Sequence, residues 1–138
     1  MTYKFEQLEV WKLALEYMDD IYALAAKLPR SEEYNLKSQI IRAGTSIAHN
    51  IAEGSTGQTD AEQARFLGMA IRSLIETIAC QHLIRHRNYM SDDAALDSAY
   101  SKSQILARKL QSFRKSLTPA SGQIREDSAP YLIETDDF

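Results

Sequence analysis

Two groups of residues in this chain have side chains and spacings that could do chemistry. His82 and His86 lie one helical turn apart and could both reach a metal ion, but no third or fourth ligand is evident nearby. Ser46, His49 and Glu53 have the residue types of a catalytic triad. On a helix they would lie side by side on one face, without a set of oxyanion donors. We therefore expect neither a metal site nor catalysis.

Two further features also favour structural roles over chemical ones. The segment Gly54-Ser-Thr-Gly57 lacks the Gly-Lys-Ser/Thr ending of a phosphate-binding loop, so Gly54 is expected to end a helix in the left-handed conformation. The single Cys80 lies in an apolar run and is expected to be a small core residue. The sequence supports no enzyme class and implies no cofactor.

The composition is that of one globular domain with a hydrophobic core. The chain has 138 residues, of which 44% are hydrophobic and 25% are charged. No apolar run approaches the roughly 18 residues that a membrane span needs, and no signal-peptide pattern opens the sequence. We therefore predict a cytoplasmic protein that does not bind membranes.

Apolar residues at three- and four-residue spacing predict four helices. The first helix should run from about residue 5 to 27, and its core stripe is predicted to be Leu8, Trp11, Leu15, Met18 and Tyr22. Further apolar residues, Val10, Leu13, Ile21 and Leu24, lie away from this stripe. The first helix should therefore pack against more than one neighbour.

The remaining helices have recognisable start signals. The second should run from about residue 32 to 53. A capping box formed by Thr59 and Glu62 begins the third, which extends to about Ile84. Ser91 is expected to cap the fourth, with a core stripe of Leu96, Tyr100, Leu106, Leu110, Phe113 and Leu117. Short connections between them predict an all-α, antiparallel, up-down-up-down four-helix bundle over residues 1–118.

Residues 119–138 differ in character from the bundle. Pro119, Gly122 and Pro130 break helix, and five acidic residues against Arg125 give this segment a net charge of −4. We predict a flexible acidic C-terminal tail, disordered or loosely docked. Alternatively, the apolar trio 131–133 could dock on a neighbouring subunit or shield basic residues of the bundle.

A polar stripe on the second helix is the leading candidate for a functional surface. Ser, Thr, Asn and Gly lower helix propensity, so their presence on this face needs another reason than solvation. The stripe and the glycine that follows it are Gln39, Arg42, Ser46, Asn50, Glu53 and Gly54. It could be an internal network in which Asn50 bonds across helices, a subunit interface, or an ordinary wet face.

A second candidate surface consists of basic residues late in the third and fourth helices. They are Arg85, Arg87, Arg108, Lys109, Arg114 and Lys115. We predict that they form a basic end of the bundle, which could bind the backbone of RNA or DNA without reading sequence. The simpler interpretation is that these charges stabilise helix C-termini.

The polar stripe belongs to a longer motif with a known counterpart. The matching segments are Ser38-Gln39, Arg42-Ala43, Ser46-Ile47 and Asn50-Ile51-Ala52-Glu53-Gly54. This motif, together with an opening segment from Phe5 to Lys12, resembles the family of four-helix-bundle proteins encoded in 23S rRNA intervening sequences. The sequence departs from the family pattern at Arg72, where Gly is expected, and at Gly57-Gln58, where a basic residue is common.

The resemblance implies a four-helix bundle that assembles into rings of five copies. Some members of this family are nucleic-acid-binding accessories of a reverse transcriptase. We therefore predict a non-enzymatic, self-associating scaffold or assembly protein that forms a homo-oligomeric ring, which by this resemblance has five subunits. The alternative is an accessory protein that binds RNA or DNA, and another protein is a third candidate partner.

Overall fold

Four α-helices and two short 3₁₀ turns make up the fold. The computed structural model describes residues 1–57 and 59–118, so Gln58 and the predicted tail lie outside the described residues. The helices are α1 (Glu9–Ala26), α2 (Leu36–Gly54), α3 (Asp60–His86) and α4 (Ala94–Ser116). A 3₁₀ turn at Lys4–Gln7 precedes α1, and another at Arg30–Glu32 precedes α2. These turns occupy positions predicted to be the first residues of the two helices.

Each helix packs antiparallel to the next along the chain, and α4 packs antiparallel to α1. The direction follows from contacts in which residue numbers rise on one helix and fall on the other. Such contacts are Ser46–Ser73 and Gly54–Phe66 for α2 and α3, Arg85–Asp97 and Gly68–Arg114 for α3 and α4, and Glu9–Lys109 and Asp20–Lys102 for α1 and α4. The predicted up-down-up-down bundle is confirmed.

The core stripe of α1 differs from the prediction. Leu15 and Tyr22 were expected in the core, but 44% and 53% of their surfaces are exposed. Met18 is buried as predicted, and Leu8 and Trp11 are partly buried against the core. The other buried residues of α1 are Val10, Ala14, Tyr17, Ile21, Leu24 and Ala25. Because α1 carries apolar residues around much of its circumference, two stripes have helical spacing, and the one containing small Ala14 and Ala25 packs inward.

The ends of the helices show three differences from the prediction. Ser91 does not cap α4, because Asp93 occupies the N-cap position and Asp92 accepts a hydrogen bond from the backbone of Ala94. Gly54 is the last residue of α2, and no described glycine has a positive φ. The left-handed conformation occurs at Asn88 (φ 56°), where Tyr89 N–H donates to Ile84 C=O and closes the last turn of α3.

Two other predictions about individual residues are confirmed, and one is wrong. The Thr59 side chain accepts a hydrogen bond from the backbone of Glu62, as the capping pattern predicted. Cys80 is buried, and desolvation raises the pKa of its thiol, as expected for a core cysteine. Tyr100, predicted in the core stripe of α4, is 40% exposed and contacts the ring of His82 edge-on. None of the described helices is long and apolar enough to cross a membrane.

A buried polar layer joins α1 to α3 across the core. The hydroxyl of Tyr17 lies 2.7 Å from Thr77 Oγ1, and Thr77 in turn donates to the C=O of Leu74. Tyr17 therefore donates to Thr77 and accepts a hydrogen bond from the side-chain amide of Gln81. Tyr17 and Thr77 are fully buried, so this layer fixes the register of two helices that are not sequence neighbours.

We expect Tyr17→Phe to lower the free energy of unfolding by about 1–3 kcal/mol, because it leaves buried Thr77 and Gln81 without their partner. Urea denaturation followed by circular dichroism measures the change. The matched control is Tyr22→Phe, which removes the same hydroxyl from an exposed side chain and should change stability by less than about 0.5 kcal/mol. Equal effects of the two variants would contradict a role for the buried layer.

The buried phenol also predicts a loss of stability at alkaline pH. Desolvation raises the pKa of Tyr17 well above its ordinary value of 10.0. Its contribution is therefore complete below about pH 10 and is lost above it, since the unfolded chain releases the proton first. The difference in free energy of unfolding between wild type and Tyr17→Phe should therefore be smaller at about pH 11 than at about pH 8. Urea titrations at several pH values measure it, and a constant difference would contradict the prediction.

Candidate interaction surface

The polar stripe of α2 lies on the surface and lines a shallow depression. We call this surface the α2 outer face, and it consists of Ser38, Ile41, Arg42, Thr45, Ser46, His49, Asn50 and Glu53. Arg42, His49 and Glu53 are exposed, and the other residues are half-buried. The face is neutral in sum, with one Arg near one end and one Glu near the other.

Hydrogen bonds hold the middle of the α2 outer face in place. Asn50 donates from its side-chain amide to the backbone C=O of Ser46 at 2.9 Å and to the Ser46 hydroxyl at 3.1 Å. The hydroxyl of Ser73 on α3 donates to Ser46 Oγ at 2.9 Å. Ser46 therefore makes the contact between helices, whereas Asn50 bonds to its own helix and not across helices. The amide of Asn50 is fixed with its oxygen available to a partner.

The ends of the polar stripe differ in their contacts. Gln39 donates to the side chain of Asn35 at 2.8 Å, beside the start of α2, and is not part of the depression. Arg42 and Glu53 form no ion pair with any residue in the described part of the chain. They lie eleven positions apart, which is close to three helical turns, so both project from the same side of α2.

Gly54 has a packing role in place of the predicted left-handed cap. It is buried at the crossing of α2 and α3, and a Cβ at this position would lie 2.9 Å from Phe66 Cβ. Gly44 is also buried, but a Cβ there would meet the flexible thioether end of Met18. The motif therefore includes one position, Gly54, where a side chain would force two helices apart.

The six basic residues do not form the predicted single basic end. Arg85 and Arg87 lie at the α3–α4 loop, whereas Arg108, Lys109, Arg114 and Lys115 lie in the last turns of α4. Because α4 rises about 1.5 Å per residue, Arg85 and Lys115 are roughly 30 Å apart along the bundle. The prediction was wrong because the antiparallel topology places the C-termini of consecutive helices at opposite ends.

Several of these cations have partners within the subunit. Arg85 pairs with Asp93 at 2.9 Å and with Asp97 at 3.0 Å. Lys109 pairs with Glu9 of α1 at 3.4 Å. The guanidinium of Arg87 packs over the ring of Tyr89, whose hydroxyl donates to Glu32 and lowers the pKa of that carboxyl. Arg114 lies against Gly68 of α3. Arg108 is exposed.

The surface of α1 carries a feature that the sequence analysis missed. Lys12, Leu15, Glu16, Asp19 and Tyr22 are all exposed and recur at three- and four-residue spacing. We call them the α1 outer face. The sequence contains a signal for this face. Val10, Ala14, Tyr17, Ile21 and Leu24 form a second stripe at helical spacing that could fill the core and leave Leu15 and Tyr22 outside.

No metal or catalytic arrangement is found among the described residues. No three His, Cys, Asp or Glu side chains in the parts that the structure describes come close enough to hold a metal ion. Ser46, His49 and Glu53 project from one helix, and Ser46 is bonded to Asn50 and Ser73 rather than to His49. The chemistry that this surface can do is hydrogen bonding and charge pairing with a partner.

Comparison with known proteins identifies the group to which the chain is related. The pattern of the 23S rRNA-intervening sequence protein family matches residues 6–112. The chain belongs to this family. A solved structure from the S23 ribosomal protein family of Bacteroides thetaiotaomicron, described as a protein of unknown function, is 28% identical. The match covers 77% of this chain and 98% of that one, with a TM-score of 0.70. No curated protein matches the chain.

The family motif can now be placed on the bundle. Most of its polar positions, from Ser38 to Glu53, lie on the α2 outer face, and Gly54 lies at the α2–α3 crossing. Arg72, which departs from the family pattern, is exposed on α3. The Arg72 side chain therefore lies on the surface of α3 and outside the core.

We expect Gly54→Ala to destabilise the protein by about 1–3 kcal/mol, because the added methyl group must displace Phe66 Cβ and the α3 backbone behind it. Gly44→Ala is the matched control. There the methyl group meets the mobile end of Met18, and the higher helix propensity of Ala offsets the strain, so the change should stay within about 1 kcal/mol. Urea denaturation measures both, and a smaller loss at Gly54 than at Gly44 would contradict this account.

Proposed function

We propose that this protein is a non-enzymatic assembly module that binds copies of itself to form a ring. The contact surfaces are the α1 outer face and the α2 outer face. The observation that carries the proposal is the exposure of Leu15 and Tyr22, at 44% and 53%, on a helix whose core stripe is complete without them. Apolar side chains repeated along one exposed helix face gain free energy when a partner covers them.

The α2 outer face supplies the polar part of such a contact. Asn50 is held by Ser46 and presents its side-chain oxygen outward, which lowers the entropy lost on binding. Arg42 and Glu53 have no ion pair among the described residues, so a partner can satisfy them without breaking an internal pair. Interfaces commonly combine an apolar centre with such a polar rim.

Two different surfaces on one subunit favour a ring over a two-fold dimer. When one face binds a different face of the next copy, the contact is heterologous and repeats until the rotation closes. The ring of five that the family resemblance implies would have a mass of about 78 kDa, five times the chain mass of 15.6 kDa. This proposal needs no catalytic residue.

The arrangement of charge gives less support to the nucleic-acid alternative. The six predicted cations divide between the two ends of the bundle, and Arg85 and Lys109 are paired with carboxylates of the same chain. Phosphate binding at these residues would have to break those pairs. The alternative predicts RNA retention that falls steeply as salt increases, and a titration of the wild-type ring against structured RNA measures it.

We expect Leu15→Glu/Tyr22→Glu to convert the wild-type ring into monomers at micromolar concentration, because two carboxylates would be buried in the contact. Size-exclusion chromatography with light scattering measures the mass. The control is Ile105→Glu, which places one carboxylate at a 47% exposed apolar position on α4 and should leave the ring intact. Circular dichroism verifies that all variants remain helical.

A monomeric wild-type protein at micromolar concentration would overturn the proposal. A wild-type oligomer that survives Leu15→Glu/Tyr22→Glu but dissociates with Ile105→Glu would overturn the assignment of the contact to α1 and α2.

A further inference from the structure

We infer that the α2 outer face of one copy lies antiparallel on the α1 outer face of the next copy, with Glu53 facing Lys12, His49 facing Glu16 and Arg42 facing Asp19. The inference rests on the proposed self-association and names the pairing within it. Its partner is a second copy of this chain. Three properties of these residues favour the pairing: their exposure, their height along the bundle and the order of their charges.

All six side chains are exposed, and none of them forms an ion pair within residues 1–57 and 59–118. Other acidic residues of α1 behave differently. Glu9 pairs with Lys109 at 3.4 Å, and Asp20 pairs with Lys102 at 3.1 Å, both across the contact with α4. The charges of α1 thus divide into a set that joins α1 to α4 and a set that faces away from the subunit.

Two of the three proposed pairs lie at matching heights, and the third lies one residue outside that range. Gly44 of α2 is in contact with Met18 and Ile21 of α1. Because the two helices are antiparallel, a residue of α1 and a residue of α2 lie at the same height when the sum of their residue numbers is between 62 and 65. Lys12 with Glu53 and Glu16 with His49 add up to 65, and Asp19 with Arg42 adds up to 61. If the ring axis runs parallel to the helices, heights are preserved between copies, and each pair then lies within roughly 4 Å along the axis.

The order of the charges agrees with the antiparallel direction, which a ring axis parallel to the helices also requires because α1 and α2 are antiparallel within a subunit. From the α2–α3 loop end, α1 presents Lys12, Glu16 and Asp19, while α2 presents Glu53, His49 and Arg42. Every pair then combines an acid with a base or with a histidine N–H donor. In a parallel arrangement Lys12 would face Arg42 and Asp19 would face Glu53, and like charges opposed in an interface are strongly unfavourable.

One competing arrangement uses the same residues. Arg42 and Glu53 on a single helix could pair with Glu53 and Arg42 of a second α2 across a two-fold axis. That contact would not involve Lys12 or Asp19. Charge reversal followed by reciprocal rescue distinguishes the two arrangements, because only the residues that face each other can rescue one another.

The experiment measures the concentration at which the full-length protein half-dissociates, by sedimentation velocity or mass photometry across a dilution series. We expect Lys12→Glu and Glu53→Lys each to raise this concentration at least about tenfold, because each opposes like charges. The double variant Lys12→Glu/Glu53→Lys should return it to within about threefold of wild type, since the pair is restored in reverse. The control Arg108→Glu reverses an exposed charge on α4 and should have no effect.

A wild-type oligomer that is unaffected by both single variants, or that is not restored by the double variant, would overturn this pairing and leave self-association standing. Restoration by Arg42→Glu/Glu53→Arg would also overturn it, because that variant repairs only the two-fold arrangement and makes the proposed pairing doubly repulsive. A monomeric wild-type protein would instead show that the proposed function itself is wrong.

Discussion

The hydrogen bonds of Tyr17 with Thr77 and Gln81 set the register on which the rest of the bundle depends. Apolar side chains such as Ile21, Ile71 and Leu74 can pack in several arrangements that differ by a small shift along the helix axis. A buried hydroxyl tolerates no such shift, because moving it away from its partner leaves polar atoms unsatisfied in the core. The heights of all outward side chains on α1 and α3 follow from this layer.

Sequence alone is sufficient for the architecture because each helix has a clear period and a clear end. It is insufficient for the rotation of α1 about its axis. Leu15 and Tyr22 continue the helical spacing of Leu8, Trp11 and Met18 and have large side chains, so hydrophobicity alone favours placing them in the core. What decides the rotation is the close approach of α1 to its neighbours, which requires the small side chains of Ala14 and Ala25 on the inner side.

The candidate site was predictable in its location but not in its contacts. The polar residues of α2 stood out because they are poor helix formers, and they do lie together on the surface. Their hydrogen bonds depend on tertiary neighbours such as Ser73, which no local pattern of α2 contains. The prediction of a single basic end was wrong for a related reason. Counting charges along the chain ignores that Arg85 lies beside Asp93 and Asp97 and far from Lys115.

The division of charge on α1 suggests why such a small bundle would carry unpaired ions on two faces. Glu9 and Asp20 join α1 to α4, so those charges stabilise the folded subunit itself. Lys12, Glu16 and Asp19 contribute little to an isolated subunit, since exposed charges without a partner gain almost nothing from folding. In the proposed assembly, the α2 outer face of a second copy supplies the complementary order of charges. Apolar contact through Leu15 and Tyr22 would then provide affinity, while the charges would fix direction and height and exclude arrangements that do not close.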